Sequence, residues 1–271
     1  MKIEKNSISE IPAFKQDIDN KNDLPYIPAK PLDKMCKSFF LYVIGSPGSG
    51  KTSTIQSLLT SHPTKSQPNK PKYFYKFWDN IFLISGSLQT LSNKFLKLLP
   101  DHKKHNEYSD NLLEEIIDEL REGENDNNLI IIDDCIKSLK KSKIITACAL
   151  NRRHLTHDPE QDGFGGVSLL VISQKFTLLD LSLRNACSHF MIYKTSNFSE
   201  LKRIREEIMY DLTDDEFNDY TKLGWKKPYS FLFIDLNKPK EDKYFIKFDK
   251  VIFDDNDGDE DFEDFEDTIE V

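Results

Sequence analysis
Short runs of consecutive apolar residues recur along this chain, each closed by a polar or glycine-rich step and most followed by apolar positions at helical spacing. FFLYVI at 39–44 is nearly all apolar, with aromatic and β-branched side chains, the pattern of a strand buried on both faces of a parallel sheet. Residues 53–59 open a helix that Pro63 must end, and TKSQPNKPK at 64–72 is a loop. Residues 73–77 and 80–85 predict two strands, the second better suited to the sheet. Leu88, Leu91, Phe95, Leu98 and Leu99 predict a helix over 88–98. Leu112, Leu113, Ile116, Ile117 and Leu120 predict another over 109–121, with Asp110 near its start where the helix dipole favours an acid.

Residues 129–132 form a further all-apolar strand that ends in Asp133 and Asp134, followed by a helix over 136–150. A glycine loop at 163–166, a strand at 168–173, a short helix at 178–184 and a strand at 189–193 complete the series. Such alternation predicts an α/β fold with a mainly parallel sheet and flanking helices. Residues 198–220 read as two helices, and 229–236 with 244–248 as a C-terminal β-hairpin extending the sheet. The expected organisation is a leader over 1–36, a core over 37–195, and C-terminal elements over 196–253 that complete the same domain. The leader is broken by Pro12, Pro25, Pro28 and Pro31, so it is either an extended arm against the body or a neighbouring subunit, or a disordered one.

Charge changes this picture at one end only. The formal net charge is -9, but residues 254–271 hold 11 of the 46 acidic residues and no Lys or Arg, leaving 37 minus 35, or +2, for the rest. That tail predicts disorder, because its Asp, Glu and Phe mixture cannot bury enough surface to fold alone. A near-neutral body is compatible with a nucleic-acid partner, which needs only a local basic surface. Cys36, Cys135, Cys148 and Cys187 lack metal-type spacing and read as reduced thiols. No apolar run reaches the length of a membrane helix and the first residues lack a signal-peptide pattern, so a soluble protein that is not secreted is expected.

The candidate chemistry starts directly after the first strand. Residues 45–52, GSPGSGKT, match G-x-x-x-x-G-K-[ST] position for position. Gly45, Gly48 and Gly50 let the backbone turn its N–H groups inward, and Ser46, Pro47, Ser49 and Ser53 complete a loop that can cradle a triphosphate at a helix N-terminus. Lys51 is placed for the β- and γ-phosphates and Thr52 for Mg²⁺. LIIIDD puts Asp133 at the carboxyl end of a buried strand, where it can hold the same Mg²⁺, and puts Asp134 beside it to orient and deprotonate water. Gln174, directly after SLLVIS, is placed to sense the γ-phosphate. Arg152, Arg153 and Arg184 lie near predicted strand ends, and at least one of them is expected to neutralise charge on the transferred phosphoryl group, in cis or from a neighbour.

GSPGSGKT, LIIIDD, NRRH, VISQ and LRN, in that order, resemble the DNA-packaging ATPases of the FtsK–HerA superfamily, most of all those of large nucleocytoplasmic DNA viruses, virophages and polinton-type elements. The resemblance spans about residues 38–194. It implies a RecA-like, additional-strand P-loop NTPase core, with the catalytic-acid strand between the phosphate-loop strand and its neighbours. It implies ATP and Mg²⁺ as cofactors, double-stranded DNA as the load, and a homo-oligomeric ring of about five or six subunits. Capsid proteins are further partners it suggests, with the virion or a cytoplasmic virus factory as the location. By the same carry-over Lys51 and Thr52 bind nucleotide and metal, Asp133 binds metal, Asp134 is the catalytic acid and Gln174 the sensor. Relatives outside the viral branch often have Glu in place of Asp134.

The residues themselves leave rivals open: another additional-strand ATPase (helicase, partition or remodelling enzyme), a P-loop kinase, or a scaffold that keeps a nucleotide-locked fold. Lys137, Lys140, Lys141 and Lys143 on the helix predicted after Asp134, or Lys202, Arg203 and Arg205, are candidates either for DNA phosphate contact or for a solvated face.

Overall fold
The structure is a computed structural model that describes residues 2–4, 38–70, 72–123, 127–140, 142–156 and 166–253. Most of the leader, Cys36, Lys141, Gly163 and the acidic tail lie outside the described residues. Chain order begins with β1 (Lys2–Glu4), β2 (Phe40–Ile44), α1 (Lys51–Thr60), β3 (Asn80–Ser85), α2 (Asn93–Leu96), β4 (Lys104–His105), α3 (Asp110–Glu122) and β5 (Asn127–Asp133). It continues with α4 (Ile136–Leu139), α5 (Lys143–Asn151), β6 (Gly166–Ser173), α6 (Leu181–Ala186) and β7 (His189–Tyr193). Helices α7 (Phe198–Ile208) and α8 (Asp214–Gly224) precede β8 (Phe231–Asp235), α9 (Lys240–Lys243), β9 (Tyr244–Ile246) and β10 (Asp249–Ile252).

Among the described residues the strands form one sheet in the order β1-β10-β9-β8-β7-β2-β6-β5-β3-β4. The six strands from β7 to β4 run parallel, and β8, β9, β10 and β1 add an antiparallel edge. The expected hairpin is present as β8 and β9, with Phe233 opposite Phe245. Residues 2–4 of the leader pair with β10 of the same chain. The acid strand does not lie where the resemblance implied: β6 separates β5 from β2, so the strand ending in Gln174 is the inserted one.

Alternation along β2 divides the core. Phe40, Tyr42 and Ile44 face a layer built with α3, α5, α6, α7 and α8, whereas Phe39, Leu41 and Val43 face α1 and an aromatic cover that includes Phe74 and Trp78. Both faces are therefore dry, which is why these strands read as unbroken apolar runs. Each fully buried large side chain contributes about 1.5–3 kcal/mol.

Three expected elements differ. Residues 73–77 form turns and not a strand, with Phe74 N–H bonded to Leu58 O at 2.9 Å and Lys76 at φ 54, because their aromatic rings close the α1 layer. Packing overrides β-propensity there. The helix over 88–98 is replaced by a 3-10 turn at Leu88–Thr90 and the short α2, although Leu91, Phe95 and Leu99 are buried as their spacing required. The helix over 136–150 is split at Ser142, whose side chain caps α5 by accepting from Ile145 N–H at 3.1 Å and donates to Asp110 at 2.5 Å. Of the lysine group, Lys140 closes α4 and Lys143 opens α5, so these two do not share one helix.

Helix α8 begins with a capping box between Thr213 and Glu216 and ends at Gly224, where a Cβ would stand 2.1 Å from Leu232 Cδ2 in the buried floor of β8. Gly224→Ala is expected to cost about 1–3 kcal/mol by overpacking, which lowers the melting midpoint by several degrees. An unchanged midpoint in a thermal melt followed by circular dichroism would refute this close approach.

Candidate active site
The carboxyl ends of β2, β6 and β5 carry the predicted site residues side by side, as the parallel registers Ile44–Ser173 and Ile172–Asp133 require. The loop after β2 folds tightly. Gly45 N–H donates to Ser173 O at 3.2 Å, and a Cβ on Gly45 would come 2.6 Å from Tyr193 Cβ, so only glycine lets the loop lie against β7. Gly48 and Gly50 are left-handed, at φ 75 and 97, as a loop that turns its N–H groups inward demands. Tyr193, at the end of β7, holds the first turn of α1 from below through a 2.6 Å bond to Thr54 Oγ1.

Lys51 is buried, and its ammonium donates to Gly45 O at 2.5 Å and Ser46 O at 2.9 Å. Burial pushes its pKa down, while Asp133 and Asp134 oppose that shift. Thr52 Oγ1 reaches Asp133 Oδ2 at 3.5 Å. Asp133 is only 6% exposed. Its carboxyl is pushed up to about 6 by burial and by the charge of Asp134, against the pull of Lys51 and Thr52. Asp134 stands in the left-handed region at φ 59, which Asp tolerates better than most residues, and its carboxylate is exposed. Gln174 donates from Nε2 to Asp134 Oδ1 at 3.2 Å. Thus the loop, the two carboxylates and the glutamine, predicted from separate stretches, meet at one edge of the sheet.

The arginines do not join them. Arg152 is buried, with Nε on Ser38 O at 2.8 Å and Nη1 on Ala149 O at 2.7 Å, and its own carbonyl accepts from Val167 N–H. Val167 is the second residue of β6, roughly 20 Å along the strand from Gln174 at the rise of an extended chain. Arg184 is also buried, in a two-pronged ion pair with Glu207 (2.8 and 2.9 Å) and over the ring of Phe176. Both guanidiniums are spent on holding helices and turns together. Arg153 is exposed. Among the second basic group, Lys202 pairs with Glu206 and Arg205 with Asp214, whereas Arg203 is exposed.

A cleft of about 710 Å³ runs from Gln174 past Gly45–Ser49 to residues 225–230. Lys175, Lys194, Lys226 and Lys227 line it against one acid, Glu200, whose carboxylate is engaged by Phe176 N–H and Thr177 Oγ1 at 2.5 and 2.6 Å. Its size suits a nucleotide and its charge suits a polyphosphate. Residues 225–230, Tyr193 and Glu200 escaped the sequence reading because no local pattern marks them. Among the described residues no group of three or more His, Cys, Asp or Glu side chains is placed to hold a metal. One hydroxyl and one carboxylate, Thr52 and Asp133, fit a Mg²⁺ ion that takes its remaining ligands from phosphates and water.

A phosphate loop and an acid-ended strand with one parallel strand between them give the α/β fold of a P-loop NTPase domain. Residues 37–162 match a family model described as an AAA domain. The structure is similar to the genome packaging NTPase B204 from Sulfolobus turreted icosahedral virus 2 in complex with sulfate, with a TM-score of 0.54 and 17% identity over 78% of this chain and 96% of that one. The same protein in complex with ATP-gammaS gives a TM-score of 0.52 and 16% identity over 78% and 98%. The DNA-packaging ATPase B204 from Sulfolobus turreted icosahedral virus gives 0.51 and 16% over 80% and 98%. At such identities the likeness is one of fold. A sequence search among curated proteins found no match. No helix among the described residues is long and apolar enough to cross a membrane.

Proposed function
We propose that this chain is an ATP-driven translocase that packages double-stranded viral DNA into a capsid. The observation that carries the reading is the convergence of Lys51, Thr52, Asp133, Asp134 and Gln174 at one sheet edge, in a fold similar over 78% of this chain to a viral genome packaging NTPase. In this reading the loop over Gly45, Ser46, Pro47, Gly48, Ser49, Gly50, Lys51, Thr52 and Ser53 binds the phosphates, with Lys51 exchanging loop carbonyls for phosphate oxygens. Thr52 and Asp133 would hold Mg²⁺, which when bound would supply positive charge against the phosphates. Asp134 orients the attacking water and takes its proton, and Gln174, already bonded to Asp134, reports the presence of the γ-phosphate. The chain works as a homo-oligomeric ring, in the virion or virus factory, docked on capsid proteins. Of the three arginines singled out, Arg153 is the one whose exposed side chain can reach a neighbouring subunit.

The test is phosphate release from ATP with and without duplex DNA of increasing length. A translocase is expected to show severalfold stimulation that grows with duplex length. Stimulation absent or independent of length would turn the reading to a partition or remodelling ATPase. Phosphate release only when an acceptor is added would indicate a kinase, and ATP binding without turnover a scaffold.

A further inference from the structure
The loop between α8 and β8 has no part in the chemistry above, yet it forms one wall of the same cleft. Its two ends are fixed. Trp225 is buried and donates from Nε1 to Ile192 O at 3.0 Å, and Ser230 is buried and donates from its backbone to Lys227 O at 3.3 Å. Between them Tyr229 is 70% exposed and sits at φ 56. A left-handed conformation is rare for a bulky aromatic residue and strains the backbone, whereas Gly or Asn would hold it readily. The ring lies against the phosphate loop: a Cβ added to Gly50 would stand 3.2 Å from Tyr229 Cδ1. A strained turn with anchored ends therefore holds an aromatic side chain at the mouth of the triphosphate cradle, beside Lys226 and Lys227.

We infer that Tyr229 is the platform on which the base of the bound nucleotide stacks, and that the site prefers purine to pyrimidine triphosphates for that reason. The inference rests on the nucleotide-binding reading given above. Stacking on an aromatic face needs no hydrogen-bond readout and grows with the area of the base, so adenine and guanine should both be accepted. Lys226 and Lys227 line the same cleft and supply counter-charge for the phosphates that follow the base.

The test uses the full chain with Mg²⁺ and compares the dissociation constants of ATPγS and inorganic tripolyphosphate by calorimetry. Tyr229→Ala is expected to weaken ATPγS about tenfold or more, the usual loss of one base–aromatic stack, and to leave tripolyphosphate within about twofold. Tyr229→Phe should behave as wild type. Equal weakening of both ligands by Tyr229→Ala would mean that the substitution displaces the loop, and would overturn the stacking role. So would unchanged ATPγS binding, or a wild-type chain that binds tripolyphosphate as tightly as ATPγS. A wild-type chain that binds neither ligand would overturn the nucleotide site itself.

Discussion

Turnover of ATP by the Asp134→Asn chain is expected to fall by about two to four orders of magnitude, the usual worth of a positioned general base, while ATPγS binding stays within a few-fold of wild type. The substitution is well matched to its position. Asn adopts the left-handed backbone seen at φ 59 as readily as Asp does. Its amide oxygen can still accept from Gln174 Nε2, so the link between the two strand ends survives. What is lost is basicity and one negative charge. Because that charge is among the causes holding the Asp133 carboxyl up, its removal leaves Asp133 more easily ionised and Thr52 undisturbed. Single-turnover hydrolysis and equilibrium binding, measured on the same preparation, check both halves. Unchanged hydrolysis would move the base to another residue, and loss of binding together with turnover would make Asp134 a structural residue of the strand end.

Lys51→Ala should act at the earlier step and abolish binding itself, with ATPγS affinity falling by about a hundredfold or more and turnover with it. A charge-assisted bond to phosphate is worth roughly twice a neutral one, and the Lys51 ammonium is the cation held inside the loop. Lys51 is 8% exposed and its charged form is disfavoured by burial, so removing it relieves a desolvation cost in the free chain. The melting midpoint without nucleotide is therefore expected to change little, whereas the upward shift produced by ATPγS should vanish. Lys51→Met, which keeps the apolar stem, should behave like the alanine chain. Retained binding in the methionine chain alone would show that packing, and not charge, is what the loop requires of this side chain.

The phosphate loop was legible in the sequence because most of its requirements are local: Gly48 and Gly50, which turn left-handed, a lysine and a hydroxyl all lie within the eight residues 45–52, and only the need for glycine at 45 comes from a distant residue, Tyr193. The buried parallel strands were legible for a related reason. Wherever both faces of a strand are covered, alternation disappears, and the runs at 39–44, 129–132 and 168–173 announce β2, β5 and β6 directly. The residue types at their carboxyl ends then named the two carboxylates and the glutamine.

What needed the tertiary structure was everything decided between distant positions. Arg152 is spent on Ser38 O, 114 positions away along the chain, and Arg184 on Glu207, so neither guanidinium points to the cleft, although sequence position made both candidates. The insertion of β6 between β2 and β5 follows from strand pairing, which an all-apolar run leaves open since any such strand can pair with any other. Residues 73–77 carry the composition of a strand and yet serve as aromatic cover, because the α1 layer supplies their partners. Ser142 starts a new helix because Asp110 and Tyr108 are there to receive it. Tyr229 meets Gly50 only once α8 has been seated on β8, and no window of the chain short enough to scan contains both. Local backbone chemistry thus settled the shape of the loop at 45–52, and long-range packing settled which side chains surround it.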